Sequence, residues 1–159
     1  MSSNARANGP QASGTAAATR CELCETDGGA PLWRDASCRV VLVDETGYAG
    51  FCRVIWNAHV REMTDLTVAE RAHLMDVVFA AEAALRESVL PEKINLASLG
   101  NVTPHLHWHV IPRFLNDPHF PNPIWGAKMR DPATFAQIHA DLGNALSGKL
   151  SRLLEKRKM

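Results

Sequence analysis

Hydrophobic and polar positions change period several times along this chain, and each period predicts an element. Arg39-Val40-Val41-Leu42-Val43-Asp44 is a nearly unbroken apolar run, which predicts a buried strand. Phe51-Cys52-Arg53-Val54-Ile55-Trp56 predicts its neighbour, with Gly47 and Gly50 supplying turn geometry between the two. Thr67-Val68-Ala69-Glu70 has the form of a capping box. Leu74, Val77, Val78, Ala81, Ala84 and Leu85 then recur at helical spacing until Pro91 ends the element. Further strands are predicted near Ile94–Leu99 and His105–Phe114, separated by Gly100-Asn101, as a second hairpin. Asp131-Pro132 reads as the cap and first residue of a last helix, whose Phe135, Ile138, Leu142, Leu146, Leu150 and Leu153 form a stripe suited to packing or to a subunit contact. The order strand, strand, helix, strand, strand predicts an α+β fold, an antiparallel β-sheet with helices packed on one face.

The last strand has an unusual polar half. Pro104-His105-Leu106-His107-Trp108-His109-Val110 alternates with period two, so His105, His107 and His109 share one face and Leu106, Trp108 and Val110 point to the core. Successive histidines stand roughly 6 to 7 Å apart on an extended strand. Burying three imidazoles as mere core residues would require a partner for every ring nitrogen, so the row points to chemistry. Two readings compete. In the first, an ion is held by two of the rings, because an outer pair about 13 Å apart cannot reach one ion with bonds near 2 Å. In the second, a central imidazole attacks phosphorus and a neighbour assists the leaving group.

With 159 residues, 46% apolar and 21% charged, the chain fits one globular domain. Lys plus Arg and Asp plus Glu balance at 17 each, so no global field recruits a nucleic-acid polymer or an anionic membrane, and an anionic ligand must be captured locally. No apolar run is long enough to span a bilayer. Residues 1–19 are rich in Ala, Ser, Gly and Asn without an apolar signal core, which predicts a disordered tail and a cytoplasmic location. Of the four cysteines, Cys21, Cys24, Cys38 and Cys52, the first two form a Cys-x-x-Cys pair at the start of the predicted ordered region. Free or metal-bound thiols fit this context better than a disulfide. A redox pair would call for a surrounding βαβ pattern, which is absent.

His-x-His-x-His followed by apolar residues resembles the signature of the histidine triad (HIT) superfamily of nucleotide hydrolases and transferases. The likeness covers roughly residues 20–127, leaving 128–159 as a C-terminal helical extension. The segments Ile94-Asn95-Leu96-Ala97-Ser98-Leu99-Gly100-Asn101 and Val110-Ile111-Pro112-Arg113-Phe114 look most like bacterial members described as diadenosine tetraphosphate hydrolases. The resemblance implies that His107 attacks the α-phosphorus of a nucleotide to form a covalent nucleotidyl-histidine. It implies that His109 assists departure of the leaving group and that His105 orients its neighbours. It further implies that Asp44 holds the ribose hydroxyls and that Asn95 and Asn101 lie near the phosphates. A turn residue is the alternative reading of Asp44, Asn101 equally suits a turn, and Leu23, Val41, Val43 and Ile55 suit either a purine pocket or simple packing.

Cys21 and Cys24 resemble the zinc pair of a subset of this superfamily. His59 and His105 match its remaining ligands, which implies a closed, structural zinc site and no catalytic metal. A homodimer is implied by the same analogy. Departures are Val54-Ile55-Trp56-Asn57, where many members have Val-Ile-Pro-Lys, and Trp108, where an aliphatic residue is common. The proline-rich run Asp117–Trp125 resembles the loop that follows the triad in the same branch; it reads either as a plain surface loop or as a cover for the ligand, with His119 and Trp125 as contacts. The expected activity is hydrolysis of dinucleoside polyphosphates. Phosphoramidate hydrolysis, nucleotidyl transfer and a nucleotide-binding signalling role with little turnover are the alternatives, and an exposed zinc on His105 and His107 is the outsider.

Overall fold

The computed structural model describes residues 20–131 and 141–156. The expected tail over residues 1–19, the cap at Asp131-Pro132, and Phe135 and Ile138 of the stripe lie wholly or partly outside them. In chain order the elements are α1 (Glu22–Glu25), β1 (Ala30–Arg34), β2 (Cys38–Leu42), β3 (Cys52–Trp56), α2 (Val68–Val89), β4 (Lys93–Ala97), β5 (His107–Arg113) and α3 (Leu142–Glu155), with a 3-10 turn at Met63–Asp65 before α2. The strands form one antiparallel sheet in the order β1-β2-β3-β5-β4. Both predicted hairpins are present, β2 with β3 and β4 with β5. Gly47 and Gly50 adopt φ of 87° and 88° in the first connection, a region open to glycine at little cost.

β1 is an addition to the four expected strands. Its sequence, Ala-Pro-Leu-Trp-Arg, is short, carries a proline and has a register irregularity between Pro31 and Trp33, so no two-residue period survives to announce it. As an edge strand it tolerates the missing N–H of Pro31. Asp35 closes the β1–β2 turn by accepting from the Ser37 and Cys38 amides, and its other carboxylate oxygen meets His73 Nε2 at 2.8 Å, which ties the turn to α2.

α2 begins as the sequence predicts. Thr67 Oγ1 accepts from the Glu70 amide and Glu70 Oε2 from the Thr67 amide. The helix ends at Leu90, in the left-handed conformation, just before Pro91. Leu74, Val77, Val78, Ala81, Ala84 and Leu85 are buried against one face of the sheet, joined by Leu142, Leu146, Leu150 and Leu154 of α3. The expected stripe is therefore offset at its end, with Leu154 buried and Leu153 only partly so.

The alternation in β5 sorts the two faces. Trp108 and Val110, with Leu106 just before the strand, join Val40, Val54 and Trp56 in the helix-side core. His107, His109 and Ile111 fall on the opposite face with Arg39, Val41, Arg53 and Ile55 of β2 and β3. Among the described residues the two long helices cover the first face, and the second carries only the short α1, packed through Leu23 on Val41 and Ile55 at one end. Among the described residues no helix is long and apolar enough to cross a membrane.

Candidate functional site

His105 stands outside the regular strand, which starts at His107. The row is therefore not three equivalent rings on a straight ribbon: the bend before β5 turns His105 away from the other two, toward α1. Its Nε2 lies 2.7 Å from the Trp56 carbonyl oxygen. A carbonyl only accepts, so Nε2 carries the proton and Nδ1 keeps the lone pair. That Nδ1 lies 3.3 Å from Cys21 Sγ and 3.4 Å from Cys24 Sγ, and Cys24 Sγ is 3.3 Å from His59 Nδ1. All four donor atoms fall within 4.8 Å of one another. Ligands on a tetrahedral zinc ion, with bonds of 2.0 to 2.3 Å, stand roughly 3.3 to 3.8 Å apart. The spacing, the two thiols and the free Nδ1 of His105 thus fit zinc, and the Trp56 carbonyl is the outer partner such a ligand histidine needs.

The Cys-x-x-Cys turn is clamped to the sheet by Arg39, buried on β2. Its guanidinium donates to the carbonyl oxygens of Leu23 at 2.6 Å, Thr26 at 3.2 Å and Asp27 at 3.0 Å, and to Asn57 Oδ1 at 3.1 Å. The departures from the common family segment acquire roles here. Trp56 donates its amide to Leu106 O at 3.1 Å, a bond that a proline could not make, and Asn57 links Arg39 to the Asp35 carbonyl.

His107 Nδ1 lies 2.6 Å from the His105 carbonyl oxygen. By the same reasoning Nδ1 is protonated and Nε2 bears the lone pair, the form a nucleophile requires. Ser98 Oγ, just past β4, donates to the His107 carbonyl at 2.9 Å and so fixes that backbone. Burial holds the His107 imidazole below its ordinary pKa and the Arg53 guanidinium adds to this, against the opposing backbone hydrogen bond. His107 and His109 meet edge to face with centroids 4.7 Å apart. Burial, then His107 and Arg53, push His109 down to about 3, so its ring is neutral near pH 7. Its Nδ1 is buried without a hydrogen-bond partner.

The run Asp117–Trp125 folds over this face rather than lying clear as a plain surface loop. Trp125 packs edge to face on His109 with centroids 5.0 Å apart, while His119 is buried, stacked near Tyr48 and bonded to its hydroxyl. Beneath the loop is a cavity of about 310 Å³, lined by Glu45, Thr46, Tyr48, Phe51, Arg53, His109, Pro118, His119, Ile124, Trp125 and Lys128. Ile124 and Trp125 also wall a wider groove of about 660 Å³ along β4. The loop is held by Arg113, whose guanidinium meets Asp117 at 2.6 Å and 3.0 Å, Asn95 Oδ1 at 2.6 Å and the Asn122 carbonyl at 2.8 Å.

Of the other residues singled out in the sequence, Asp44 is exposed just past β2, next to the cavity-lining Glu45 and Thr46. Asn95 sits on β4, against Arg113 and in the wall of the wider groove, and Asn101 is exposed in the β4–β5 connection. Leu23, Val41 and Ile55 pack on one another in a small buried cluster, and Val43 packs against the Tyr48–Phe51–Ile111 cluster. Arg53, Ser98 and the Arg113–Asp117 pair escaped the sequence reading. A lone arginine in a strand signals nothing by itself; for Arg53 the available hint was its odd parity, a charge inside a predicted buried run.

The HIT domain family profile matches residues 31–116, more than half of the chain. Among solved structures, a histidine triad protein from Marinobacter aquaeolei VT8 is 27% identical, with 82% of this chain and 91% of that one covered and a TM-score of 0.62. One from Sinorhizobium meliloti 1021 is 26% identical over 84% and 95% of the two chains, with a TM-score of 0.65. A zinc-bound histidine triad family protein from Mycobacterium smegmatis shares the fold at 23% identity, over 80% and 88% of the chains, with a TM-score of 0.57. None of the curated proteins compared matches the chain. A five-stranded antiparallel sheet, a His-x-His-x-His row on its open face and the matching profile place this chain in the histidine triad (HIT) family.

Proposed function

We propose that the protein is a nucleotide phosphoanhydride hydrolase that cleaves dinucleoside polyphosphates, such as diadenosine tetraphosphate, through a nucleotidyl-His107 intermediate. The observation that carries this reading is the hydrogen bond from His107 Nδ1 to the His105 carbonyl, which leaves a neutral, oriented Nε2 as nucleophile beside His109. Nε2 attacks the α-phosphorus, the bond to the leaving phosphate breaks, and water then cleaves the phosphorus–nitrogen bond. Asp44 takes the ribose hydroxyls, as a carboxylate suited to accept two hydrogen bonds. Asn95, whose Oδ1 is engaged by Arg113, offers its amide N–H groups to phosphate, and Asn101 reaches the same phosphates from the β4–β5 connection. The protein works as a homodimer.

The test is incubation with diadenosine tetraphosphate, chromatography of products, and intact-protein mass spectrometry with peptide mapping. An added AMP on His107 together with release of mononucleotides is expected. Turnover with no adduct, or an adduct on another residue, would overturn the assignment, and tight nucleotide binding without turnover would favour a signalling role.

The Cys21, Cys24, His59 and His105 set serves as a structural zinc site in this reading. When bound, zinc would supply a closed tetrahedral tether that steadies His105, and His105 positions His107 through its own carbonyl. Protein purified without chelator is expected to carry about one zinc per chain by elemental analysis. Cys24→Ser should lower both zinc content and melting temperature. Wild-type zinc content in that variant would remove Cys24 from the ligand set.

A further inference from the structure

We infer that Arg53 is the cation that receives the leaving phosphate, and that the site therefore favours phosphoanhydride bonds over phosphoramidates; this rests on the nucleotidyl-His107 reading above. Arg53 is the register partner of His109 across β3 and β5, and both side chains line the cavity of about 310 Å³ under the Trp125 loop.

Four arginines sit on the sheet strands at or near this face, and three of them are engaged, Arg34 at the edge by Asp27. Arg39 makes four hydrogen bonds to protein oxygens and Arg113 makes four, counting both contacts to Asp117. Among the described residues Arg53 makes one hydrogen bond, to the Gly28 carbonyl at 3.4 Å, and its guanidinium lies over the Phe51 ring, while its Nε is buried with no partner. Among the described residues no carboxylate lies within ion-pairing distance of it. A buried donor without an acceptor is costly, and Arg53 shares the cavity wall with His109, whose Nδ1 is likewise buried without a partner. A phosphate, with several acceptor oxygens, satisfies a guanidinium well. Lys128 and His119 line the same cavity, and Glu45 is its one carboxylate.

The chemistry follows from this charge. The His107 Nε2 lone pair forms the bond to phosphorus, and the phosphorus–oxygen bond breaks with its electron pair on the departing oxygen. A polyphosphate can leave as an anion, and Arg53 neutralises the charge that develops there. Water then attacks phosphorus, the nitrogen–phosphorus bond breaks with its pair returning to Nε2, and the water proton passes to solvent. An amine leaving group has no such route, because its nitrogen needs a proton as the phosphorus–nitrogen bond breaks. Burial first, then His107 and the neighbouring guanidinium, oppose a protonated His109, the group placed to supply one.

The experiment compares diadenosine tetraphosphate with adenosine 5′-phosphoramidate for the parent protein, Arg53→Met and Arg53→Lys, together with inhibition by inorganic tripolyphosphate. The parent should prefer the polyphosphate in kcat/KM by about a hundredfold or more. Arg53→Met should lose about a hundredfold on the polyphosphate, at least about tenfold more than on the phosphoramidate, and should weaken tripolyphosphate inhibition by about tenfold. Arg53→Lys should recover part of each loss, which a folding defect common to both variants would not produce. Equal losses on the two substrates, unchanged tripolyphosphate inhibition, or a parent that prefers the phosphoramidate would overturn the Arg53 assignment while an adduct on His107 still stood. A parent that cleaves neither substrate and forms no adduct would instead fail the nucleotidyl-histidine reading and this inference with it.

Discussion

Replacing His107 by alanine is expected to lower kcat on diadenosine tetraphosphate by about a thousandfold or more, because it removes the atom that bonds to phosphorus and no neighbour can take its place. His105 Nε2 is bound to the Trp56 carbonyl and its Nδ1 faces the two thiols, so that ring is committed elsewhere. His109 is neutral and lies alongside, but its ring packs between His107 and Trp125. KM should move far less than kcat, since substrate contacts away from the reacting phosphorus are retained. His107→Gly should regain part of its turnover when free imidazole is added, a response that loss of folding would not show. Turnover within about tenfold of the parent in His107→Ala would place the nucleophile on another residue.

The second large effect is on stability. Asp117→Ala is expected to cost about 3 to 5 kcal/mol in denaturant unfolding, the range for removing one partner of a buried ion pair. Arg113 is 2% exposed and Asp117 is fully buried, so the substitution strands a guanidinium where water does not reach. Asp117 also accepts from the amides of His119 and Phe120 at 2.9 Å and 2.7 Å, which shapes the loop that carries Trp125 onto His109. Activity should therefore fall with stability. Burial raises the pKa of this carboxyl, but the Arg113 hydrogen bonds and the two loop amides outweigh it, and the net shift is downward. The sign is then fixed: the contribution is complete above the ordinary carboxylate pKa near 4 and is lost as pH falls through the lower folded value. The parent should accordingly lose stability on acidification below about pH 4 more steeply than Asp117→Asn. Parallel stability profiles for the two proteins over that range would show that the carboxylate charge contributes nothing.

Much of this architecture was legible because it depends on local periodicity. The capping box at Thr67, the helical recurrence from Leu74 to Leu85 and the alternation from Leu106 to Val110 each express which side of a backbone meets the core, and burial follows that pattern. β1 was not legible, since five residues with a proline and a register irregularity carry no period and are held by pairing with β2. The loop from Asp117 to Trp125 was ambiguous for a related reason. Its proline content excludes regular structure, but whether it covers the face depends on Arg113, which lies earlier in the chain and looks like any other strand residue.

By itself the sequence determined the family-bearing row of histidines, the strand that presents it, and the chemical types able to gather around a metal. These are properties of residue identity and of spacing along one element. The tertiary structure alone decided what each ring does. The bend at His105 separates one imidazole toward two thiols from chain positions more than 80 residues earlier, while its carbonyl assigns the proton on His107. Strand register sets Arg53 opposite His109 with its Nε unpartnered, whereas Arg39 and Arg113, of the same type, are consumed in holding other parts of the chain. Hydrogen-bond partners and charge environments come from contacts between distant segments, and packing, not local pattern, fixes those contacts.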